Sequence, residues 1–96
     1  MTYRVVIDEL VFDKDFKKID PADRKRIIKA IRQKLTSKPK EFGQPLRGDL
    51  KGYWKLRVGE YRVIYAIEDK RALVYVVLVG FRRNREVYKT SLPRKS

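Results

Sequence analysis

The sequence predicts an α+β fold with the element order βααβββ, in which two N-terminal helices pack on one face of a small, mainly antiparallel sheet. Two observations support this prediction. Between residues 53 and 81, apolar residues follow strand periodicity in three successive runs. Before them, two segments carry apolar residues at helical spacing. The 96 residues are expected to form a single domain, 1–96, that ends in a short C-terminal segment.

The chain opens with a predicted strand and a short helix. Tyr3 to Ile7 has the composition of a strand, and Asp8 is a suitable N-cap for a helix over Glu9 to Lys18. The apolar face of this helix, which we expect to be buried, comprises Phe12, Phe16 and Ile19.

A second helix is predicted to begin at Asp20 and to run to about Thr36 or Ser37. Asp20 can cap it, Pro21 suits its first turn, and Asp23 can complete a capping box. Its buried stripe comprises Ile27, Ile28, Ile31 and Leu35. Prolines and glycines then predict a loop over residues 38–51, which Leu46 and Leu50 anchor to the core.

The first two runs of the predicted sheet form a hairpin that brings three cations to one face. Gly59-Glu60 has glycine in the first central position, as a two-residue turn prefers, and this turn places Arg57 opposite Arg62. Lys55 shares their face, whereas Trp54 and its apolar neighbours share the other. Because like charges facing each other across strands are unfavourable, the cluster indicates an anion-binding surface.

The third run, Ala72 to Phe81, is apolar at nearly every position, which predicts a central strand buried on both faces. The facing of Arg82 depends on the turn before this strand. A two-residue turn would place Arg82 on the face opposite to Arg62, and a three-residue turn over Asp69 to Arg71 would place both on one face. The spacing alone leaves both turns open.

The formal net charge of +13 indicates a polyanionic partner such as a nucleic acid. The charge is uneven, since residues 1–23 hold four basic and six acidic side chains, and the remaining 73 hold 21 and six. The basic residues lie within predicted strands and a helix, and not only in a tail. The competing interpretation is the solvated surface of a soluble or heat-adapted protein.

The composition restricts the possible chemistry. The chain has no cysteine and no histidine, which excludes disulfides and disfavours a transition-metal site, so no cofactor is expected. Acid–base chemistry would fall to Lys, Arg, Tyr, Asp or Glu. No signal peptide and no membrane-spanning run is predicted, and we therefore expect a cytoplasmic protein that does not bind a membrane.

Two motifs stand out, YWKLRVGEYRVIY at residues 53–65 and VGFRRNREVY at residues 79–88. They resemble the RelE/ParE superfamily of bacterial toxins, most closely the RelE branch of mRNA endonucleases. The combination of V-G-x-R with Tyr88, six residues after Arg82, is typical of the RelE branch. The resemblance covers essentially the whole chain, including the LRG motif at residues 46–48.

The resemblance implies a ribosome-dependent endonuclease that cleaves translated mRNA by attack of the ribose 2′-OH and is neutralised by an acidic antitoxin. The implied partners are thus the ribosome, mRNA and an antitoxin. The residues that match the family's catalytic positions are Lys55, Arg62, Arg82 and Tyr88. The residues expected to bind RNA or its phosphates are Arg57, Arg83, Arg85 and Lys51. The three-residue turn is then favoured, because one site requires Arg82 on the face of Arg62.

In this hypothesis Arg62 and Arg82 hold the phosphate, and Lys55 and Tyr88 share the proton transfers, since nearby positive charges favour the deprotonated forms of lysine and tyrosine. One position departs from the family, because Tyr53 stands where RelE proteins often have a second catalytic lysine. Two other functions stay open, namely a ParE-like inhibitor of DNA gyrase without nuclease activity and a non-catalytic RNA-binding module.

Overall fold

The computed structural model describes residues 2–82 and contains a five-stranded sheet. The strands are β1 (Arg4–Ile7), β2 (Gln44–Pro45), β3 (Tyr53–Val58), β4 (Tyr61–Glu68) and β5 (Leu73–Phe81). Their order is β1-β5-β4-β3-β2, with β1 parallel to β5 and all other neighbours antiparallel. The predicted α+β class is confirmed. β2 is an additional strand of two residues within the segment that the sequence predicts to be a loop.

Two helical segments precede the hairpin, as predicted. They are the π-helical turn Val11–Asp15 with the 3₁₀ turn Phe16–Lys18, and then α1 (Pro21–Ala30) with its π-helical continuation Ile31–Leu35. Asp8 caps the first segment, because its Oδ1 accepts a hydrogen bond of 2.8 Å from the Leu10 N–H. Within residues 2–82, no helix has both the length and the apolar character needed to cross a membrane.

The winding of the first helical segment changes which aromatic ring is buried. The sequence predicts a buried Phe12, but this side chain is 48% exposed. The Phe16 N–H donates its backbone hydrogen bond to the carbonyl of Val11, five residues earlier, as in a π-helix, and the side chains of these two residues are the buried ones. The Phe12 ring lies outside them and packs edge-on against Phe16, with 5.4 Å between ring centroids.

The predicted capping box at the start of α1 is also wrong. Asp20 occupies the N-cap position but makes no side-chain hydrogen bond to the helix. The Asp23 carboxylate instead accepts a hydrogen bond of 2.8 Å from the Tyr61 hydroxyl and pairs with Arg26 at 3.3 Å. The hydrogen bond to Asp23 raises the pKa of Tyr61. The start of α1 is therefore tied to β4.

The sheet is buried on both faces at its centre. The main core lies between the sheet and the helical segments, which contribute Val11, Phe16, Ile19, Ile27, Ile31 and Leu35. On the opposite face, Ile64, Val77 and Leu78 form a smaller cluster that Leu46 and Leu50 cover, as predicted for these two anchors. The expected burial of the last strand on both faces is confirmed.

The predicted hairpin register is also confirmed. Val58 lies opposite Tyr61 and Arg57 lies opposite Arg62. The next connection, however, is longer than predicted. Glu68 pairs with Leu73, so the turn comprises residues 69–72 instead of 69–71. With this turn alone, Arg82 would lie on the face opposite to Arg62, because each one-residue shift reverses the facing of a strand.

A bulge in β5 restores the predicted facing of Arg82. Ile64 pairs with Leu78 and Tyr65 with Val76, which leaves Val77 as an extra residue in β5. Beyond the bulge Arg62 lies opposite Gly80. Arg82 follows Gly80 by two residues and therefore has the facing of Arg62. The predicted turn length is wrong, but the predicted facing of Arg82 is right.

A short helix, α2 (Pro39–Phe42), is fixed between the core and the sheet edge. The Tyr65 hydroxyl donates a hydrogen bond of 2.6 Å to the Pro39 carbonyl, and burial raises the pKa of this hydroxyl. Lys40 binds the Asp69 carboxylate at 2.7 Å from the other side. Gly43, directly after α2, leaves the space that the Tyr65 hydroxyl occupies, since a Cβ there would lie 1.7 Å from its oxygen.

We predict that Gly43→Ala lowers the free energy of unfolding by about 1–3 kcal/mol, because the added methyl group overpacks a filled site. In a Tyr65→Phe background the same substitution costs less, since the nearest atom to the new Cβ is absent. Urea denaturation of the wild type, both single variants and the double variant measures this coupling. Equal costs of Gly43→Ala in both backgrounds would contradict the close approach of Tyr65 and Gly43.

Candidate functional site

A cavity of about 190 Å³ gathers most of the predicted site residues that the structure describes. It is lined by Phe42, Gln44, Lys55, Arg57, Arg62 and Arg82. Lys55, Arg57 and Arg62 reach it from the face of the β3–β4 hairpin that points away from the helices. We name this feature the cationic cavity.

The register of three strands positions the four cations. Lys55 and Arg57 are alternate residues of β3 and therefore share a face, and Arg62 lies directly opposite Arg57 on β4. Arg82 follows β5, and its N–H donates a hydrogen bond of 2.9 Å to the Glu60 carbonyl in the hairpin turn. Each side chain thus projects from backbone that the sheet holds in place.

The electrostatics of the cationic cavity favour an anion. Among the described residues no acidic side chain lines it, and no group of three or more acidic residues could hold a metal ion. Lys55, Arg62 and Arg82 are half-buried and Arg57 is exposed. Arginine guanidinium groups bind phosphate oxygens through paired hydrogen bonds, whereas a lysine ammonium acts as a point charge. The arrangement suits a phosphate group that several cations contact at once.

A second cavity, of about 430 Å³, adjoins the first along the sheet edge. Gln44 and Lys55 line both cavities, and Pro45, Leu46 and Arg47 complete the second. Together the two cavities form a trough that continues past β2 and has a further positive charge at Arg47. A ligand larger than a single phosphate, such as a short stretch of a polyanion, would fit such a surface.

Other predicted site residues lie elsewhere or outside the described chain. Lys51 is exposed in the turn before β3 and does not line the cationic cavity. Arg83, Arg85 and Tyr88 lie outside the described residues. Tyr53, which stands at the position that departs from the resembled family, packs against the small apolar cluster of Ile64, Val77 and Leu78 and does not line the cationic cavity either.

Two residues of the cationic cavity, Phe42 and Gln44, are not predicted by the sequence patterns. Both belong to the segment that was predicted as a loop, and the strand pairing of Gln44 with Lys55 brings them beside the cations. One signal was available in the sequence. Phe42 is the only aromatic residue among residues 38–51, a polar stretch rich in glycine and proline.

Comparisons with known proteins agree with this architecture. The sequence model of the family described as ParE toxin of type II toxin-antitoxin system, parDE, matches residues 9–86. The mRNA interferase toxin RelE of Escherichia coli is 33% identical over 95 residues, which cover 98% of each chain. Toxin RelE of Mycobacterium tuberculosis is 42% identical over 48 residues, which cover half of each chain.

A solved structure has the same fold. The toxin-antitoxin complex RelBE2 of Mycobacterium tuberculosis contains a chain that superposes with a TM-score of 0.79 at 28% identity, covering 85% of this chain and 100% of that one. The family match extends over most of the sequence, and the Escherichia coli relative aligns over nearly its full length. The chain therefore belongs to the RelE/ParE superfamily of toxins from type II toxin–antitoxin systems.

Proposed function

We propose that this toxin is a ribosome-dependent endoribonuclease that cleaves translated mRNA in the cytoplasm without a metal ion. The observation that carries the proposal is the gathering of Lys55, Arg57, Arg62 and Arg82 in one cavity. The name of the Escherichia coli relative, an mRNA interferase, supports the same activity. A nuclease needs a fixed phosphate, and three arginines around one cavity are suited to hold it.

In the proposed reaction the 2′-OH of the ribose attacks the adjacent phosphorus, and the bond to the 5′ oxygen of the next nucleotide breaks. The products are a 2′,3′-cyclic phosphate and a 5′-OH. Negative charge on the phosphoryl oxygens rises in the transition state, and Arg62 and Arg82 are assigned to stabilise it by hydrogen bonding. Arg57, which is more exposed, contributes attraction at the entrance.

Proton transfers are assigned to Lys55 and Tyr88, since the chain contains no histidine. One of the two removes the proton of the 2′-OH, and the other protonates the leaving oxygen. Free lysine and tyrosine side chains have pKa values far above neutrality, which makes these residue types inefficient at such tasks in isolation. The proposed dependence on the ribosome follows, because a ribosome that holds the mRNA in line supplies the positioning that the toxin lacks.

An acidic antitoxin is the proposed inhibitor. The relative of known structure was solved as a toxin-antitoxin complex. A formal charge of +13 and a cavity lined by cations would attract an acidic chain, which would compete with RNA for the same surface. Binding to mRNA, the ribosome or the antitoxin should weaken as salt concentration rises.

Substitution of the phosphate-holding residues tests the nuclease proposal. We expect Arg62→Ala and Arg82→Ala each to lower the cleavage rate by about 10²- to 10³-fold, as for other groups that stabilise transition-state charge. Tyr88→Phe should also reduce cleavage, because it removes the hydroxyl proton. Primer extension on a translated mRNA, with and without ribosomes, measures codon-phased cuts. Arg71→Ala is the matched control, since Arg71 is 74% exposed at the other end of β4 and pairs with Glu68.

The same assay separates the nuclease from the main alternative. Growth arrest without mRNA cleavage, and without any effect of the arginine variants, would exclude the nuclease proposal. Inhibition of DNA gyrase would then be measured, because the matching family is named for ParE toxins. The nuclease is favoured over a gyrase inhibitor because Arg82 lines the cationic cavity beside Arg62.

Removal of the nucleophile gives an independent test of the chemistry. We expect a single 2′-deoxy substitution at the nucleotide before the cut to abolish cleavage at that site, because the attacking oxygen is missing. An unmodified mRNA of the same sequence is the control, and end-group analysis should find a 5′-OH on its downstream fragment. Continued cutting of the 2′-deoxy substrate, or a 5′-phosphate product, would indicate an attacking water molecule and contradict the proposed mechanism.

A further inference from the structure

We infer that Phe42 and Gln44 form a nucleobase-binding subsite beside the bound phosphate, with the Phe42 ring as the surface on which a base stacks. This inference rests on the proposed function, because it assigns an RNA base to the same cavity. Phe42 and Gln44 line the cationic cavity together with the four cations. The cavity thus combines positive charge, an aromatic ring and a side-chain amide, and a nucleotide has groups complementary to all three.

The fold does not account for the position of the Phe42 ring. The side chain is 49% exposed and belongs to neither apolar cluster. Helix α2 is held by the buried Pro39, by the hydrogen bond from Tyr65 to the Pro39 carbonyl and by the Lys40–Asp69 ion pair. Contacts of other residues therefore fix the segment that carries the Phe42 ring. A preformed stacking surface requires such a fixed segment.

The surroundings of the ring favour a base next to a phosphate over an apolar partner. Lys34 Nζ lies 5.7 Å from the centroid of the Phe42 ring and adds a positive charge beside it. A wholly apolar ligand would leave Lys34 and the cavity arginines poorly solvated. A nucleotide instead places its base on the ring and its phosphate among the cations. Gln44 can donate and accept hydrogen bonds at the base edge.

The test measures the contribution of a base separately from that of phosphate. The probes are a fluorescently labelled 2′-O-methyl trinucleotide, which cannot be cleaved by 2′-OH attack, and three versions in which one nucleotide is abasic. Their affinities for the full chain are measured by anisotropy at several salt concentrations. For the wild type, we expect one abasic replacement to weaken binding about tenfold, within the range for one base on one aromatic ring.

Substitutions of Phe42 test whether its ring makes the contribution of the base to binding. We expect Phe42→Ala to bind the intact trinucleotide and that abasic version equally, with an unchanged salt dependence because the phosphate contacts stay. Phe42→Trp should retain the preference for the base. Phe12→Ala is the matched control, since Phe12 is 48% exposed, much like Phe42, but does not line the cavity.

Each outcome separates this inference from the proposed function. If Phe42→Ala keeps the full preference for the base, or if wild type binds all four probes equally with a steep salt dependence, the stacking subsite is wrong and the phosphate site stands. If wild type binds none of the probes, the inference is overturned, and ribosome-dependent cleavage of mRNA decides the proposed function independently.

Discussion

The site depends on one constraint, the pairing of β4 with its two neighbours. The two-residue hairpin turn places Arg57 opposite Arg62, although opposed like charges destabilise a sheet. Burial of Leu56, Val63 and Tyr65 on the other face of the same two strands offsets this repulsion. A shift of one residue would expose those apolar side chains and bury the cations. The hydrophobic core therefore enforces the cation cluster, and an anion bound there would relieve the remaining repulsion.

Helix α2 connects the same core to the rim of the cavity. Tyr65 is fully buried, yet its hydroxyl reaches the Pro39 carbonyl and passes beside Gly43. Pro39 and Gly43 lie on either side of Phe42 in the chain. Tyr65 therefore fills the core on one side of β4 and also fixes the segment that lines the cationic cavity. The cationic cavity on the strands and an aromatic ring on a short helix are thus held by shared contacts. Preorganisation of this kind lowers the conformational cost of binding a flexible single strand.

Short sequence patterns predict those parts of the fold that depend on neighbouring residues in the chain. The hairpin register followed from Gly59 and strand alternation, and the double burial of β5 followed from its apolar run. The bulge at Val77 could not be predicted, because it arises from pairing between residues that are distant in sequence. The facing of Arg82 depends on this bulge and on the turn length together. The right facing of Arg82 came from the family resemblance, since the spacing left it open. The exposure of Phe12 was missed because a heptad-like pattern does not reveal π-helical winding.

The residues of the cationic cavity give a physical reason for the proposed dependence on the ribosome. In the proposed reaction four cations hold the phosphate, and proton transfer falls to a lysine and a tyrosine, since the chain has no histidine. Such a site gains most of its rate from geometry, which free RNA does not provide because its backbone samples many conformations. Tyr53 adds no further cation, since it packs on an apolar cluster and does not line the cationic cavity. The toxin would thus hold the phosphate strongly, move protons weakly and act only where another particle aligns the mRNA.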